Sequence, residues 1–239
     1  MYSNRYITIY TVIMTLIVSV VLAMIVTGLK PVHDANEEVF KKRDIFRAIK
    51  DQLGADLDKM RDKEVLDLFG QKIEQVVIDA NGKVVEGVKA ENIDMAKEEK
   101  KPLEQRQYPI FIFKGDQGST YLVTVRGNGL WDKIWGTIAI KDDFNTITGA
   151  SFGHAAETPG LGAEITDNPA FPKQFQGKTI YDGSEYVSVS VVKGGVKNPS
   201  HQIDAITGAT ITSNGVTEMM VRGLKIYLPY FESLKTKNG

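Results

Sequence analysis

The chain contains no cysteine. That excludes disulfides, a thiolate-held iron–sulfur cluster and a cysteine nucleophile, so any redox group on this chain would have to be organic or held by other ligands. Its three histidines, His33, His154 and His201, are scattered without metal-ligand spacing, and each is expected to be solvated or structural. Charge of one sign is also missing. A net charge of −1 gives no electrostatic pull toward nucleic acid. A dinucleotide fingerprint is absent too: Gly127-Asn128-Gly129-Leu130-Trp131 begins like one, but Asp132 stands at the sixth position and a strand-like run follows where a helix is required. No internal repeat is visible.

One long apolar run is present. Residues Ile7 to Leu29 carry no charged side chain, and at about 1.5 Å per residue the run is long enough to cross a bilayer core. A single transmembrane helix over 7–29 is expected. A cleavable signal peptide fits less well, because the run is long and a charged helical stretch follows it. Basic residues lie on both sides, Arg5 before and Lys30, Lys41, Lys42 and Arg43 after, so charge does not set the orientation. Thr8, Thr11, Thr15, Ser19, Ala23 and Thr27 form a row of small side chains on one face. The row reads either as a surface for packing another helix or as hydroxyls bonded to their own backbone.

The apolar spacing after Pro31 predicts a helical stalk over 30–72. Asn81-Gly82 predicts a hairpin between strands 74–79 and 83–88. The polar segment 89–106 reads as a surface excursion, and strands are expected at 110–113, 120–125, 135–140, 146–152 and 187–192. Val216, Met219, Met220, Gly223, Leu224 and Tyr227 have helical spacing and predict a C-terminal helix at about 214–228. Helices, a run of strands and a closing helix argue α+β with a mostly antiparallel sheet over 73–239.

Ahead of that last helix stands Asp204-Ala205-Ile206-Thr207-Gly208-Ala209-Thr210, a small, hydroxyl-rich stretch headed by an acid. The uncompensated N–H groups and positive dipole end of a helix favour an anion there, phosphate above all, although a simple N-capped turn would look the same. Glu157-Thr158-Pro159-Gly160-Leu161-Gly162 predicts a tight turn with proline second and glycine third, the type II preference. Trp131, beside two glycines, is suited to covering a flat ring, though a plain strand-end bend explains it as well. Lys193-Gly194-Gly195 could offer a cation and open backbone, or be a solvated hairpin tip.

Asp204-x-x-Thr207-Gly208-Ala209-Thr210 resembles the covalent flavinylation motif of the bacterial FMN-binding domain family. Gly127 to Trp131, Glu157 to Gly162 and Thr207 to Val216 follow that family's order. With the N-terminal anchor and the Gly28-Leu29-Lys30-Pro31 that ends it, nearly the whole chain is similar to the NqrC family of sodium-translocating NADH:quinone reductases. The resemblance implies an electron-transfer protein with FMN held through a phosphoester on Thr210, within loop 204–215. It implies flavin contacts by Trp131, Thr158, Leu161, Thr207, Gly208 and Ala209, with Glu157 as a polar orienting group, and recognition of Asp204 by a flavin transferase; Lys193 joins these as a candidate cofactor contact from its place after a strand. Its partners would be the other subunits of a bacterial inner-membrane complex that moves sodium, with the flavin domain on the periplasmic side. The flavin subunit of the related Rnf complex shares the two loops and is the alternative, while an unflavinylated membrane-tethered binding module is the alternative of another class. No NADH-binding fingerprint is present, and no Asp, Glu, Lys, Arg or His lies within 7–29, so the chain by itself is not expected to catalyse the full reaction.

Overall fold

The computed structural model describes residues 3–54, 56–115 and 118–238, with side chains to 236; positions 116, 117 and 239 of the range 73–239 lie outside them. The chain divides into two compact units, 1–41 and 42–239. Elements run in the order α1 (Asn4–Arg47), α2 (Lys50–Leu53), α3 (Asp62–Lys72), β1 (Ile73–Asp79), α4 (Met95–Glu98), β2 (Gln107–Gly115), β3 (Gly118–Asn128), β4 (Lys133–Lys141) and β5 (Ile147–His154). They continue with α5 (Glu164–Asp167), α6 (Ala170–Lys173), β6 (Tyr181–Asp182), β7 (Glu185–Tyr186), β8 (Ser190–Val192), β9 (Gln202–Asp204), α7 (Thr210–Lys225) and α8 (Leu228–Asn238).

The first unit is helical from Asn4 onward. Its apolar stretch reaches a mean hydropathy of 2.7 and buries none of that surface within the protein. A helix of this length and composition suits a bilayer, where lipid takes the place of a core. Thr8, Thr11 and Thr15 donate their hydroxyls to the carbonyls four residues back, at 2.9, 2.9 and 2.8 Å. For these three the own-backbone reading holds.

The second unit is built on a five-stranded antiparallel meander, β1 to β5 in sequence order. Alternate residues of each strand face opposite sides, and both sides are covered. Ile110, Ile112, Val123, Val125, Ile134 and Ile138 face a core closed by Val216, Met219, Met220 and Leu224 of α7 and by Phe231 of α8. Phe111, Phe113, Leu122 and Ala139 face a second core made with Ile45, Phe46, Ile49, Val65 and Phe69. This explains the unbroken apolar run Ile110-Phe111-Ile112-Phe113, since a strand buried on both faces has no polar alternate positions. The antiparallel sheet with flanking helices is the α+β architecture that the strand pattern predicts.

Three sequence expectations are corrected. Residues 42–72 are not a free stalk: Phe46 and Phe111 both pack edge-on against Phe69, and Ser151 donates to the carbonyl of Asp44 at 2.8 Å. The polar faces of these helices look outward, which is why their pattern resembles a stalk. Second, the hairpin at Asn81-Gly82 forms its turn, with the Asp79 carboxylate accepting from the N–H groups of Asn81 and Lys83, but its return strand shrinks to a bridge between Ile78 and Val84. Gly87, at φ +79°, turns the chain away. Third, the excursion 89–106 is not wholly on the surface: Ala90 is buried in the second core, and buried Glu98 accepts from Lys101 Nζ at 2.7 Å and from the Gln107 N–H at 3.0 Å.

Candidate functional site

Three loops meet at one end of the sheet: the β3–β4 hairpin tip (129–132), the segment after β5 (155–163), and the turn leading into α7 (205–209). Each has its own local cause. The hairpin closes through the Gly129 N–H and the Asp132 carbonyl at 2.8 Å. In Thr158-Pro159-Gly160-Leu161 the Leu161 N–H reaches the Thr158 carbonyl at 3.1 Å and Gly160 takes φ +73°, the type II turn that proline and glycine predict. The third loop leaves β9, which pairs in parallel with β8 (Val192 opposite Asp204), and bends at Gly208, φ +80°, before α7 begins.

Helix α7 starts four residues earlier than its apolar spacing suggests, so Thr210 is its first residue rather than a residue ahead of it. Small and hydroxyl-bearing residues carry no periodicity, which hides the first turn from a reading of apolar positions. The N-cap is Ala209, which has no side-chain oxygen and makes no capping hydrogen bond. The N–H groups of the first turn therefore lack the side-chain acceptor that a Ser, Asp or Asn would supply. Thr210 itself is exposed.

Glu157 ties the loops together. The residue is 4% exposed; Oε2 accepts from Thr212 Oγ1 at 2.5 Å and Oε1 from the Trp131 backbone N–H at 3.0 Å. Burial alone would raise its pKa, but the Thr212 hydroxyl and the N–H groups of Trp131, Asp132 and Leu130 together hold it below the usual carboxylate range. A Cβ on Gly129 or Gly162 would overlap this carboxylate, so both glycines are required for its seat. The Trp131 indole N–H donates to Thr158 Oγ1 at 3.1 Å. The ring is nonetheless 67% exposed, and Leu161 and Ile211 are 41% and 57% exposed. Apolar side chains standing open beside an uncapped helix start suit a ligand with an anionic group and a flat apolar body.

Of the residues singled out from sequence, the structure brings together Trp131, Glu157, Thr158, Leu161 and Gly208; a Cβ on Gly208 would lie 2.8 Å from Leu161 Cδ2. Thr207 and Ala209 shape the same turn. Asp204 ends β9 with its side chain exposed, its N–H donating to Gln174 Oε1 at 2.9 Å. Lys193 is exposed just past the end of β8, on the same two-stranded ribbon as Asp204. Sequence reasoning missed one member, Thr212, which stood in the hydroxyl-rich run without a role. His154, expected to be solvated or structural, accepts the Glu157 N–H on Nδ1 at 3.1 Å, a structural use. A separate cavity of about 270 Å³, walled by Glu99, Arg106, Tyr108, Arg126, Lys133 and Arg222, does not include Thr210 or Trp131.

The FMN-binding domain family model matches residues 129–225, which span all three loops. The chain is thus an FMN-binding-domain protein preceded by an apolar helix. It is 31% identical over 242 residues to the NqrC protein of the Na(+)-translocating NADH-quinone reductase of Neisseria meningitidis, covering 93% of this chain and 91% of that one. The Vibrio vulnificus counterpart is 32% identical over 85% of this chain and 84% of its own. The crystal structure of the same component from Parabacteroides distasonis superposes with a TM-score of 0.74 at 35% identity, covering 85% of this chain and 96% of that one. Shewanella oneidensis NqrC gives 0.70 at 28% identity, over 82% and 99%. This chain belongs to the NqrC family of Na(+)-translocating NADH-quinone reductases.

Proposed function

We propose that this chain carries FMN as a phosphoester on Thr210 Oγ1. It is the FMN-bearing electron-transfer subunit of the Na(+)-translocating NADH-quinone reductase, a membrane-anchored member of a multi-subunit complex. The observation that supports Thr210 is its place as the exposed first residue of α7 behind an N-cap without a capping oxygen, where a phosphate would receive the free N–H groups and the helix dipole.

Attachment requires a flavin transferase using FAD. Thr210 Oγ1 forms the new P–O bond, the pyrophosphate bond of FAD breaks, AMP leaves, and the hydroxyl proton is released. Asp204 is the residue we assign to recognition by that enzyme. When bound, FMN supplies the redox chemistry, and the protein supplies position and electrostatics. In this reading Trp131 and Leu161 offer apolar surface to the ring, Glu157 and Thr158 hold Trp131, Thr207, Gly208 and Ala209 shape the acceptor turn, and Lys193 gives a cation near the phosphate. The domain lies on the periplasmic side of a bacterial inner membrane. Free FMN is scarce there, so a reversible site would empty by mass action whereas a covalent one stays filled.

The test is Thr210→Val in the full chain produced with the transferase. The substitution keeps the side chain's shape and removes the acceptor oxygen, so in-gel flavin fluorescence after denaturing electrophoresis should vanish while the melting temperature holds. A variant band that still fluoresces would sink the assignment.

A further inference from the structure

We propose that Thr212 is a positioning residue of this site, acting through Glu157 on Trp131. Threonines in helices ordinarily return their hydroxyl to the carbonyl four residues back, as Thr217 does to Ser213 at 3.3 Å. Thr212 does not. Its hydroxyl goes to Glu157, 55 positions away, in a bond of 2.5 Å buried from solvent, with Thr212 only 1% exposed.

The consequence follows from what each end of that bond carries. Thr212 lies in the first turn of α7, two residues beyond Thr210, so fixing Thr212 fixes the acceptor turn. Glu157 takes the Trp131 N–H on its other oxygen, and its own N–H is held by His154 Nδ1 at 3.1 Å. Glycines at 129 and 162 make room for the carboxylate, since a Cβ at either position would overlap it. One buried carboxylate therefore sets where the indole of Trp131 stands relative to the oxygen of Thr210. Remove the Thr212 donor, and the carboxylate loses one of its fixed partners while the helix remains. The hairpin tip is then free to drift from the acceptor turn.

The part of this role that concerns the flavin rests on the reading given under Proposed function; the positioning itself does not. The experiment accordingly has two arms on full-length protein in detergent, each comparing wild type with Thr212→Val, which is isosteric and lacks the hydroxyl, and with Thr212→Ser, which keeps it. In the first arm the protein is made without the transferase and free of flavin, and hydrogen exchange is followed by mass spectrometry. Loss of a charge-assisted bond should speed exchange in the segment 129–132 of the Val variant by about tenfold or more, while the Ser variant matches wild type. In the second arm the same proteins are flavinylated. The Val variant should retain flavin but show a shifted visible spectrum and midpoint potential, with Ser restoring both. Unchanged exchange at 129–132 in the Val variant, or failure of Ser to restore it, would overturn the proposal. If the wild type itself takes no flavin, the flavin reading fails and the first arm still decides. Should the Val variant not fold, Glu157→Gln replaces it and is expected to speed exchange in both 129–132 and 210–213; protection unchanged in both would equally overturn the proposal.

Discussion

A Cβ on Gly215 would overlap the carbonyl oxygen of Asn128, so α7 and β3 meet backbone to backbone just below the acceptor turn. One more glycine on each element lets side chains of the other pack close: a Cβ on Gly127 of β3 would stand 2.8 Å from Met219 Cβ, and one on Gly223 of α7 2.6 Å from Val125 Cγ1. Gly215→Ala is therefore expected to lower the melting temperature. Overpacking against a backbone that cannot yield costs about 1–3 kcal/mol, more than the gain of up to about 1 kcal/mol from helix propensity. Gly70 in α3 has open space around its Cβ position, so Gly70→Ala should have the opposite sign and stabilise by roughly 0.5–1 kcal/mol. Circular dichroism melts of the two variants check both signs.

Two buried carboxylates should respond to pH in opposite directions. Burial raises the Asp44 pKa above its ordinary value, with Arg47, 3.5 Å away, pulling the other way. With the folded pKa above the unfolded one, its contribution to stability is present at low pH and is lost as pH rises through the folded value. Asp44→Asn should thus raise the melting temperature at neutral pH, with the gain fading as pH falls. Glu157, held low by its donors, contributes above its unfolded pKa of about 4.3, and that contribution is lost as pH falls through its still lower folded value. Glu157→Gln should be destabilising at neutral pH and progressively less so in acid. Melts between roughly pH 3 and 8, spanning ordinary carboxylate titration, compare the two series.

Asp204 can be separated from folding because its side chain is exposed and its N–H, not its carboxylate, makes the bond to Gln174. Asp204→Ala should melt within about 0.5 kcal/mol of wild type, as surface substitutions do, yet accept less flavin in the transferase reaction. Full flavinylation of the purified variant would assign Asp204 another role.

In the membrane segment, Thr8, Thr11 and Thr15 satisfy their own backbone, which leaves small size at Ser19 and Ala23 as the feature available for close helix packing. Changing both to Leu raises hydrophobicity and should leave insertion and flavinylation intact while reducing co-purification with the other subunits. Normal recovery of the complex would place the assembly surface elsewhere on the chain.

Much of the architecture was legible because it is written in short-range patterns. The charge-free run 7–29, the apolar strand-like runs of β2 to β5, the proline-glycine order of 158–161 and the apolar spacing of α7 are each local signals with a local physical cause. The candidate site was legible as three loops because the order of their glycines, prolines and threonines resembles that of the FMN-binding domain family; the spacings alone fit plain turns as well. Errors fell where a pattern had two meanings: residues 42–72 have a polar outer face whether they form a stalk or a layer over a sheet.

By itself the sequence determined that this protein has a bilayer-length apolar run, an antiparallel α+β domain and a hydroxyl-rich turn next to a helix start, because period, length and turn chemistry are properties of neighbouring residues. Only the tertiary structure decided that Glu157 is buried between Thr212 and Trp131, that Ala209 leaves the helix start without a side-chain cap, and that Gly215 lets α7 touch the backbone of β3. Glu157 and Thr212 stand 55 positions apart in the chain, and Asn128 and Gly215 are more distant still. Hydrogen bonds and steric exclusion act over a few ångströms of space, and no pattern along the chain records which distant groups folding will bring within that range.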